Sequence, residues 1–352
     1  SHPNSAWYVS PWGFSEDRRE FSLPCSVLNL LLLLFRKIPR PPTVNSASIT
    51  CGTRGSSLES NSTAVSGKSA IYALIGDPVE HSLSPSIQNT AFRSAAIDAV
   101  YIVLRVRSSD LRDAIRGLRA LNVSGFNATT PHKTRIVRYM DHLDPATAEI
   151  GSVNTVVVRE GKFHGYNTDG IGALNALQEA GAKLEEQTVL QFGVGGAGRA
   201  IAYSLAQHAK ALRLMNRTLS KAKRLKRILQ KRFGVEVTSS RLSTANINAS
   251  IPEADIIINT SSMGMRGKPE LPIAQDLLSQ SQLVFDIVYN PVETRLLKLA
   301  RLAGAGTISG LELLLHQGAH SFELWTGKTA PIMEMRHAIA QKLPAMTDGK
   351  NG

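Results

Sequence analysis

Thr188-Val189-Leu190-Gln191-Phe192-Gly193-Val194-Gly195-Gly196-Ala197-Gly198-Arg199 is an apolar strand that runs into a glycine loop and then into a helix. A lone G-x-G-x-x-G says little, but strand, loop and helix in that order form the context a dinucleotide requires. The glycines permit a tight turn and let a pyrophosphate approach backbone N–H groups, while the helix N-terminus favours its negative charge. Gly193, Gly195, Gly196, Ala197 and Gly198 are therefore expected to bind a cofactor. About 20 residues on, where an NAD site places Asp or Glu for the ribose 2′-hydroxyl, the next strand ends in Asn216-Arg217-Thr218. A guanidinium suits a 2′-phosphate, so NADP is the expected cofactor.

Outward from this stretch, residues 211–215, 235–238, 255–259 and 283–286 read as further strands, the rhythm of a doubly wound nucleotide-binding sheet over 170–310. Upstream, strands at 71–75, 99–106 and 125–128 alternate with helices at 85–96 and 110–121, which predicts a second α/β layer with a parallel sheet. A helical stretch after Pro131, a strand at 153–159 and a hairpin-like Glu160-Gly161-Lys162 lead to a linking helix at 170–179. Helices at 311–324 and after Pro331 are expected to pack back on the first layer. The fold class is thus α/β: an N-terminal α/β substrate domain, 69–169 completed by 311–345, plus a Rossmann-type doubly wound NADP-binding domain at 170–310.

With 352 residues, 43% hydrophobic and 19% charged, the chain is long enough for two cores. Its two cysteines, Cys25 and Cys51, precede residue 69, which excludes disulfide scaffolding, zinc–thiolate sites and a cysteine nucleophile from the rest and suits a reducing cytoplasm. Residues 1–68, rich in Ser, Pro, Asn and Gly, read as a disordered extension. Its apolar stretch at 27–35 is shorter than the roughly 20 residues a bilayer needs. Arg36, Lys37 and the prolines at 39, 41 and 42 follow it where a signal peptide would have small residues, which argues against export and for a cytoplasmic location without a membrane partner. The net charge of +12 is densest in Lys221, Lys223, Arg224, Lys226, Arg227, Lys231 and Arg232. Leu225, Ile228, Leu229 and Phe233 interleave them at helical spacing, which predicts a solvated basic helix face and no nucleic-acid partner.

Lys133 and Asp169 lie in two segments dense in hydroxyls and amides, residues 127–133 and 167–170. An ammonium beside a carboxylate can exchange a proton with a substrate hydroxyl as hydride leaves the adjacent carbon. Ser82 and Ser84, just before Pro85, are two hydroxyls suited to a carboxylate, or else plain caps of the following helix. His81, His132, His164, His316 and His320 have no zinc-like spacing and are expected to be structural or solvent-facing, with no metal bound.

Taken together, these segments resemble the shikimate dehydrogenase family over roughly residues 71–331. Ser82-Leu83-Ser84-Pro85 is similar to its Ser-x-Ser carboxylate clamp, and residues 127–133, Asn-Ala-Thr-Thr-Pro-His-Lys, to its Asn-Val-Thr-x-Pro-x-Lys motif. The resemblance implies that Lys133 and Asp169 are catalytic and that Ser82, Ser84, Asn127, Thr129, Asn154, Tyr289 and Gln317 bind substrate. It also implies that Gly310 joins the glycine loop, Asn216, Arg217 and Thr218 in binding NADP. Residues 152–155, Ser-Val-Asn-Thr, resemble Ala-Val-Asn-Thr, and residues 286–289 with Pro291 and Thr294 resemble the segment that closes over nicotinamide and substrate. The implied activity is reversible NADPH-dependent reduction of 3-dehydroshikimate to shikimate, by a monomer or homodimer.

Ala128 departs from the motif's Val, while residues 289–291 and 324–328 are closer to a quinate/shikimate branch of broader substrate range. Quinate/shikimate dehydrogenase with NAD or NADP is therefore the alternative activity. A catalytically silent nucleotide-binding regulator is the alternative of another class.

Overall fold

Two six-stranded sheets, one in each half of the described chain, carry the fold in the computed structural model, which describes residues 65–343. The reading of residues 1–64 as disordered lies outside the described residues, as does the end of the segment expected to reach residue 345. Residues 65–68, assigned to the extension, form a turn in which Ser66 N donates to Ser69 Oγ at 2.8 Å.

The first sheet comprises β1 (Ala70–Gly76), β2 (Ala99–Arg105), β3 (Gly125–Ala128), β4 (His142–Leu143), β5 (Thr155–Arg159) and β6 (Lys162–Tyr166), in the order β2-β1-β3-β5-β6-β4. Helices α1 (Ser84–Ser94) and α2 (Leu111–Ala120) make the crossovers that keep β1, β2 and β3 parallel. Leu111, Ile115 and Leu118 of α2 are buried at the spacing of one helix face, in a core with Phe126, Ile136, Val156 and Phe163. Beyond β3 the parallel expectation fails, for β5 pairs antiparallel with both β3 and β6. Glu160 and Gly161, both at positive φ, join β5 to β6 in a two-residue turn, which can only connect antiparallel neighbours. Residues 131–135 form turns, a 3₁₀ segment occupies Ile136–Tyr139, and α3 (Pro145–Ile150) starts later, where the Asp144 carboxylate accepts Thr147 N–H at 3.0 Å.

The second sheet is wholly parallel and runs β9-β8-β7-β10-β11-β12: β7 (Thr188–Phe192), β8 (Ala211–Asn216), β9 (Glu236–Arg241), β10 (Ile256–Asn259), β11 (Leu283–Asp286) and β12 (Gly306–Ile308). The order reverses between β7 and β10, which is where doubly wound sheets bind dinucleotides. Its helices are α5 (Gly196–Leu205), α6 (Leu219–Phe233), α7 (Thr244–Ser250) and α8 (Arg295–Leu302), counting after α4 (Asp169–Glu179) between the two sheets. In α6, Ala222, Leu225 and Leu229 are buried and the basic side chains face outward, the solvated face the spacing predicts.

Helix α9 (Gly310–Thr326) packs along α4, and α10 (Ile332–Ala340) packs on α1. An ionic knot, buried at Arg336 and Glu312 and open to solvent at Glu179, ties α4, α9 and α10 together: Arg336 donates to both oxygens of Glu312 at 2.7 and 2.9 Å and to both oxygens of Glu179 at 2.9 and 3.0 Å. Glu179, Glu312 and His316 bring three potential metal ligands within 4.8 Å, but the Arg336 guanidinium already supplies their countercharge. Among the described residues, no helix is long and apolar enough to cross a membrane.

Candidate active site

The turn after β3 delivers Lys133. His132, fully buried with Nε2 2.7 Å from Val106 O, anchors that turn, and Lys133 O accepts Val153 N–H at 2.8 Å. Asp169 opens α4, where its N–H donates to Asn167 Oδ1 at 3.0 Å while Asn167 Nδ2 donates to Ser152 O at 2.8 Å. Lys133 Nζ then lies 2.6 Å from Asp169 Oδ2 and 2.9 Å from Oδ1, with the two side chains 17% and 3% exposed. So little exposure leaves an ion pair that solvent screens weakly and that a bound ligand can reach from the lysine side.

Asn154 joins the pair, its Nδ2 donating to Asp169 Oδ1 at 3.1 Å, to Thr168 Oγ1 at 2.9 Å and, more weakly, to Gln317 Oε1 at 3.4 Å. Its orientation is fixed because Oδ1 accepts the Thr168 main-chain N–H at 2.8 Å, and an amide N–H can only donate. Asn127 stands behind. Its Nδ2 donates to Asn154 O, Thr155 Oγ1 and Ser321 Oγ at 3.0, 3.0 and 3.1 Å, and its Oδ1 accepts the Tyr101 hydroxyl at 2.8 Å. Asn127 is buried and its amide is spent on the protein, which makes it a brace between β3, β5 and α9. Tyr101, Thr155, Thr168 and Ser321 had no motif to mark them; the one sequence signal is that Ser321 lies one helical turn past Gln317.

Ser82 and Ser84 are half-buried at the start of α1, of which Ser84 is the first residue; the N-cap position is Leu83, so neither serine is the plain cap, although Ser82 Oγ accepts Ser84 N–H at 3.2 Å. Tyr101 and Tyr289 are the phenols in this part of the site, Tyr101 turning its hydroxyl to Asn127 Oδ1 at 2.8 Å and Tyr289 coming from the loop after β11. Burial raises both phenols above their ordinary pKa, keeping them neutral hydrogen-bonding groups. Thr129 is partly exposed in the turn that carries Lys133.

In the glycine loop, Gly193 takes φ +94°, and a side chain there would lie 2.9 Å from Ser261 N. At Gly196 a Cβ would lie 2.8 Å from Lys133 Cβ, so the loop and the lysine share one cleft. Helix α5 begins at Gly196 without a side-chain cap, and the space over Gly195 is open, which leaves the first N–H groups of the helix available to an anion. Ala197 and Gly198 complete the first turn of α5. Asn216 knits the loop to β8, accepting Val194 N–H at 3.2 Å and donating to Thr218 O at 2.9 Å. Arg217 and Thr218 are exposed beside it. Gln191, which the motif reading passed over, is fully buried and donates to Gly193 O at 2.9 Å and Gly198 O at 2.7 Å. Gly310 opens α9 against the main chain of Ile287 and Val288, behind the Tyr289 loop.

Three family models match in chain order: the shikimate dehydrogenase substrate binding domain at residues 74–156, shikimate/quinate 5-dehydrogenase at 175–299, and the shikimate 5′-dehydrogenase C-terminal domain at 310–340. The NADP(+) shikimate dehydrogenase of Bacillus cereus is 42% identical over 283 residues, covering 78% of this chain and 98% of that one. A crystal structure of a shikimate dehydrogenase in complex with NADP+ superposes with a TM-score of 0.73 at 38% identity, covering 80% of this chain and 98% of that one. The quinate dehydrogenase of Corynebacterium glutamicum in complex with NAD gives a TM-score of 0.71 at 30% identity, over 78% and 99% of the two chains. Sequence identity at this level across both halves, together with the order of the three matched segments, means that the chain belongs to the shikimate dehydrogenase family.

Proposed function

We propose that the chain catalyses the reversible NADPH-dependent reduction of 3-dehydroshikimate to shikimate, within the biosynthesis of chorismate and the aromatic amino acids. The observation that carries this reading is the Lys133–Asp169 pair, 2.6 Å apart and enclosed with Asn154, against which the cofactor-type glycine loop abuts at Gly196. A regulator that had lost its chemistry would gain nothing from that pair.

The open N-terminus of α5 and the space over Gly195 fit a pyrophosphate, held by main-chain N–H groups of residues 193–198, and Arg217 with Asn216 and Thr218 fits an adenosine 2′-phosphate. Bound there, NADP(H) supplies or accepts the hydride. Lys133 donates the proton to the C3 oxygen as negative charge develops on it, and receives it back in the oxidising direction. Asp169 keeps the ammonium aimed and, with Asn154 and Gln317, takes the ring hydroxyls. Ser82, Ser84, Thr129 and Tyr289 hold the carboxylate end, and Asn127 braces the strand behind them. The division of labour follows residues 69–169 with 311–345 for substrate and 170–310, including Gly310, for cofactor. We assign the enzyme to the cytoplasm, as a monomer or homodimer.

The NAD-bound quinate dehydrogenase among its structural neighbours motivates a second reading, quinate oxidation with NAD. Arg217, at the position where an NAD site carries a carboxylate, favours the first. A steady-state assay crossing shikimate and quinate with NADP and NAD decides. The highest kcat/KM is expected for shikimate with NADP; a preference for quinate with NAD replaces the reading, and turnover of neither acid removes it.

A further inference from the structure

Asp286, at the end of β11, is fully buried and uses both carboxylate oxygens to organise loops. Oδ1 accepts Asn259 Nδ2 at 2.9 Å and Val288 N–H at 3.0 Å, and Oδ2 accepts the Thr294 hydroxyl at 2.7 Å. Each partner holds a different piece of chain. Asn259 ends β10 and shapes the loop after it, its Oδ1 accepting Ser261 N–H and O–H at 3.0 and 2.7 Å while its Nδ2 also donates to Met263 O at 2.9 Å. Val288 precedes Tyr289, and Thr294 caps α8, its Oγ1 accepting Leu297 N–H at 3.3 Å. One carboxylate therefore pins both ends of the 287–294 loop and joins it to the 260–264 loop. Tyr289 lies within the pinned segment.

We infer that Asp286 is a positioning residue for substrate binding: as a carboxylate it fixes the 287–294 loop that carries Tyr289, and its protonation loosens that loop. The inference rests on the proposed placement of Ser82 and Tyr289 at the substrate. A proton on Oδ2 reverses its bond to Thr294, whose oxygen already accepts the helix N–H, and neutral Oδ1 is a weaker acceptor for Asn259 and Val288. Burial, with Glu270 facing it from the loop after β10, raises Asp286 to about 6 from an ordinary 3.8. Arg295, next to Thr294, turns its guanidinium to Leu271 O and Ile273 O instead, and Asn259, Val288 and Thr294 are neutral. The folded chain thus binds more protons than the unfolded chain between these two pH values, so this group's contribution to stability falls as pH rises through that window. Loop order and stability are set against each other.

Asp286→Asn imitates the protonated acid, keeping Oδ1 and turning the other atom into a donor. At pH 8 its KM for shikimate is expected to rise about tenfold, the effect of losing a hydrogen bond to a charged group, with kcat within about twofold and a Tm no lower than wild type. The wild-type KM should rise as pH falls through about 6, and the variant should lack that limb. An unchanged KM with a wild-type pH profile overturns the inference, as does a lowered Tm with KM intact, which would make Asp286 merely structural. Should the variant not fold, hydrogen–deuterium exchange of wild-type residues 287–294, corrected for intrinsic rates, keeps the question decidable. Protection that falls below pH 6 supports the device, and protection independent of pH from 5 to 8 overturns it. If wild type shows no NADP-linked shikimate oxidation, it is the proposed function that fails, and exchange still reads the loop.

Discussion

The two halves of the molecule hold their sites together in opposite ways. In the cofactor half a single contiguous stretch, residues 188–199, contains the strand, the loop and the helix start, and the side chains that fasten it, Gln191, Thr260 and Asn216, all grip main-chain groups of the loop. In the substrate half the side chains come from distant segments: Lys133 and Asp169 lie 36 residues apart, Asn154 and Gln317 163, and Asn127 and Ser321 194. A phosphate is bound by backbone, which local sequence can shape alone. A polyhydroxylated ring needs several side chains converging from different directions, which only tertiary structure supplies. The cofactor half is therefore a contiguous loop fastened through its main chain, and the substrate half a long-range cluster fastened side chain to side chain.

The strongest test of the substrate half is at its chemistry. Lys133→Ala should lower kcat by about 10²–10⁴, the range of a lost general acid, with a much smaller change in KM, since proton transfer is needed only in the transition state. Near-normal turnover in steady-state kinetics would remove the lysine from the reaction. In the cofactor half, Gln191→Leu removes one donor each from Gly193 O, which the Thr260 hydroxyl still reaches at 2.8 Å, and from Gly198 O, which lies inside α5, so the cost should be the net worth of a hydrogen bond, about 0.5–1.5 kcal/mol for each. Denaturant unfolding reads this directly, and a loss above about 3 kcal/mol would mean that Gln191 alone holds the loop and that Thr260 and Asn216 do not share in fastening it.

What the sequence disclosed follows the same division. The loop, its strand at Thr188–Phe192 and the absence of a carboxylate at Arg217 were all local, and β7 and β11 fall at the expected residues. Helix α5 starts three residues before its expected position because Gly196-Ala197-Gly198 forms its first turn, and two glycines hide a helix from propensity. β12 escaped because Gly306 and Thr307 in a three-residue edge strand read as loop. In the other half, Lys133 and Asp169 were singled out by residue type and again, with Asn154 and Gln317, by motif resemblance, whereas residue pattern alone gave no sign that Asn127 braces rather than faces outward. Its partners are Tyr101, Thr155 and Ser321, and no spacing rule links a strand asparagine to a helix serine 194 residues away.

A smaller effect, confined to the cofactor, sharpens the point that the cofactor half reads its ligand at separate positions. Arg217→Ala should raise the NADP KM about 10- to 100-fold, matching the roughly 1.5–3 kcal/mol of a hydrogen bond to a charged group, and leave the NAD KM nearly unaltered, because only the 2′-phosphate distinguishes the two. Equal losses with both cofactors would show that the side chain supports the fold, as though it belonged to the other half.

The smallest expected effects come from single changes in the multiply fastened cluster, and the arithmetic of its protons says why. Asn127 Nδ2 carries two protons and faces three acceptors, Asn154 O, Thr155 Oγ1 and Ser321 Oγ. Ser321→Ala leaves two acceptors for two protons, and so does Thr155→Val, which also preserves side-chain shape. Each should cost under about 1 kcal/mol beyond its packing loss, within the net worth of one hydrogen bond. The double variant leaves a single acceptor, so one buried proton has nowhere to go; set against the 2.9 Å Thr155–Ser321 bond, which either single change already breaks, this should leave the loss about 1 kcal/mol above the sum of the singles. Urea unfolding of the four proteins measures the coupling. Additive losses would mean that the three acceptors are not alternatives for Asn127, and the substrate half would then be fastened one bond at a time.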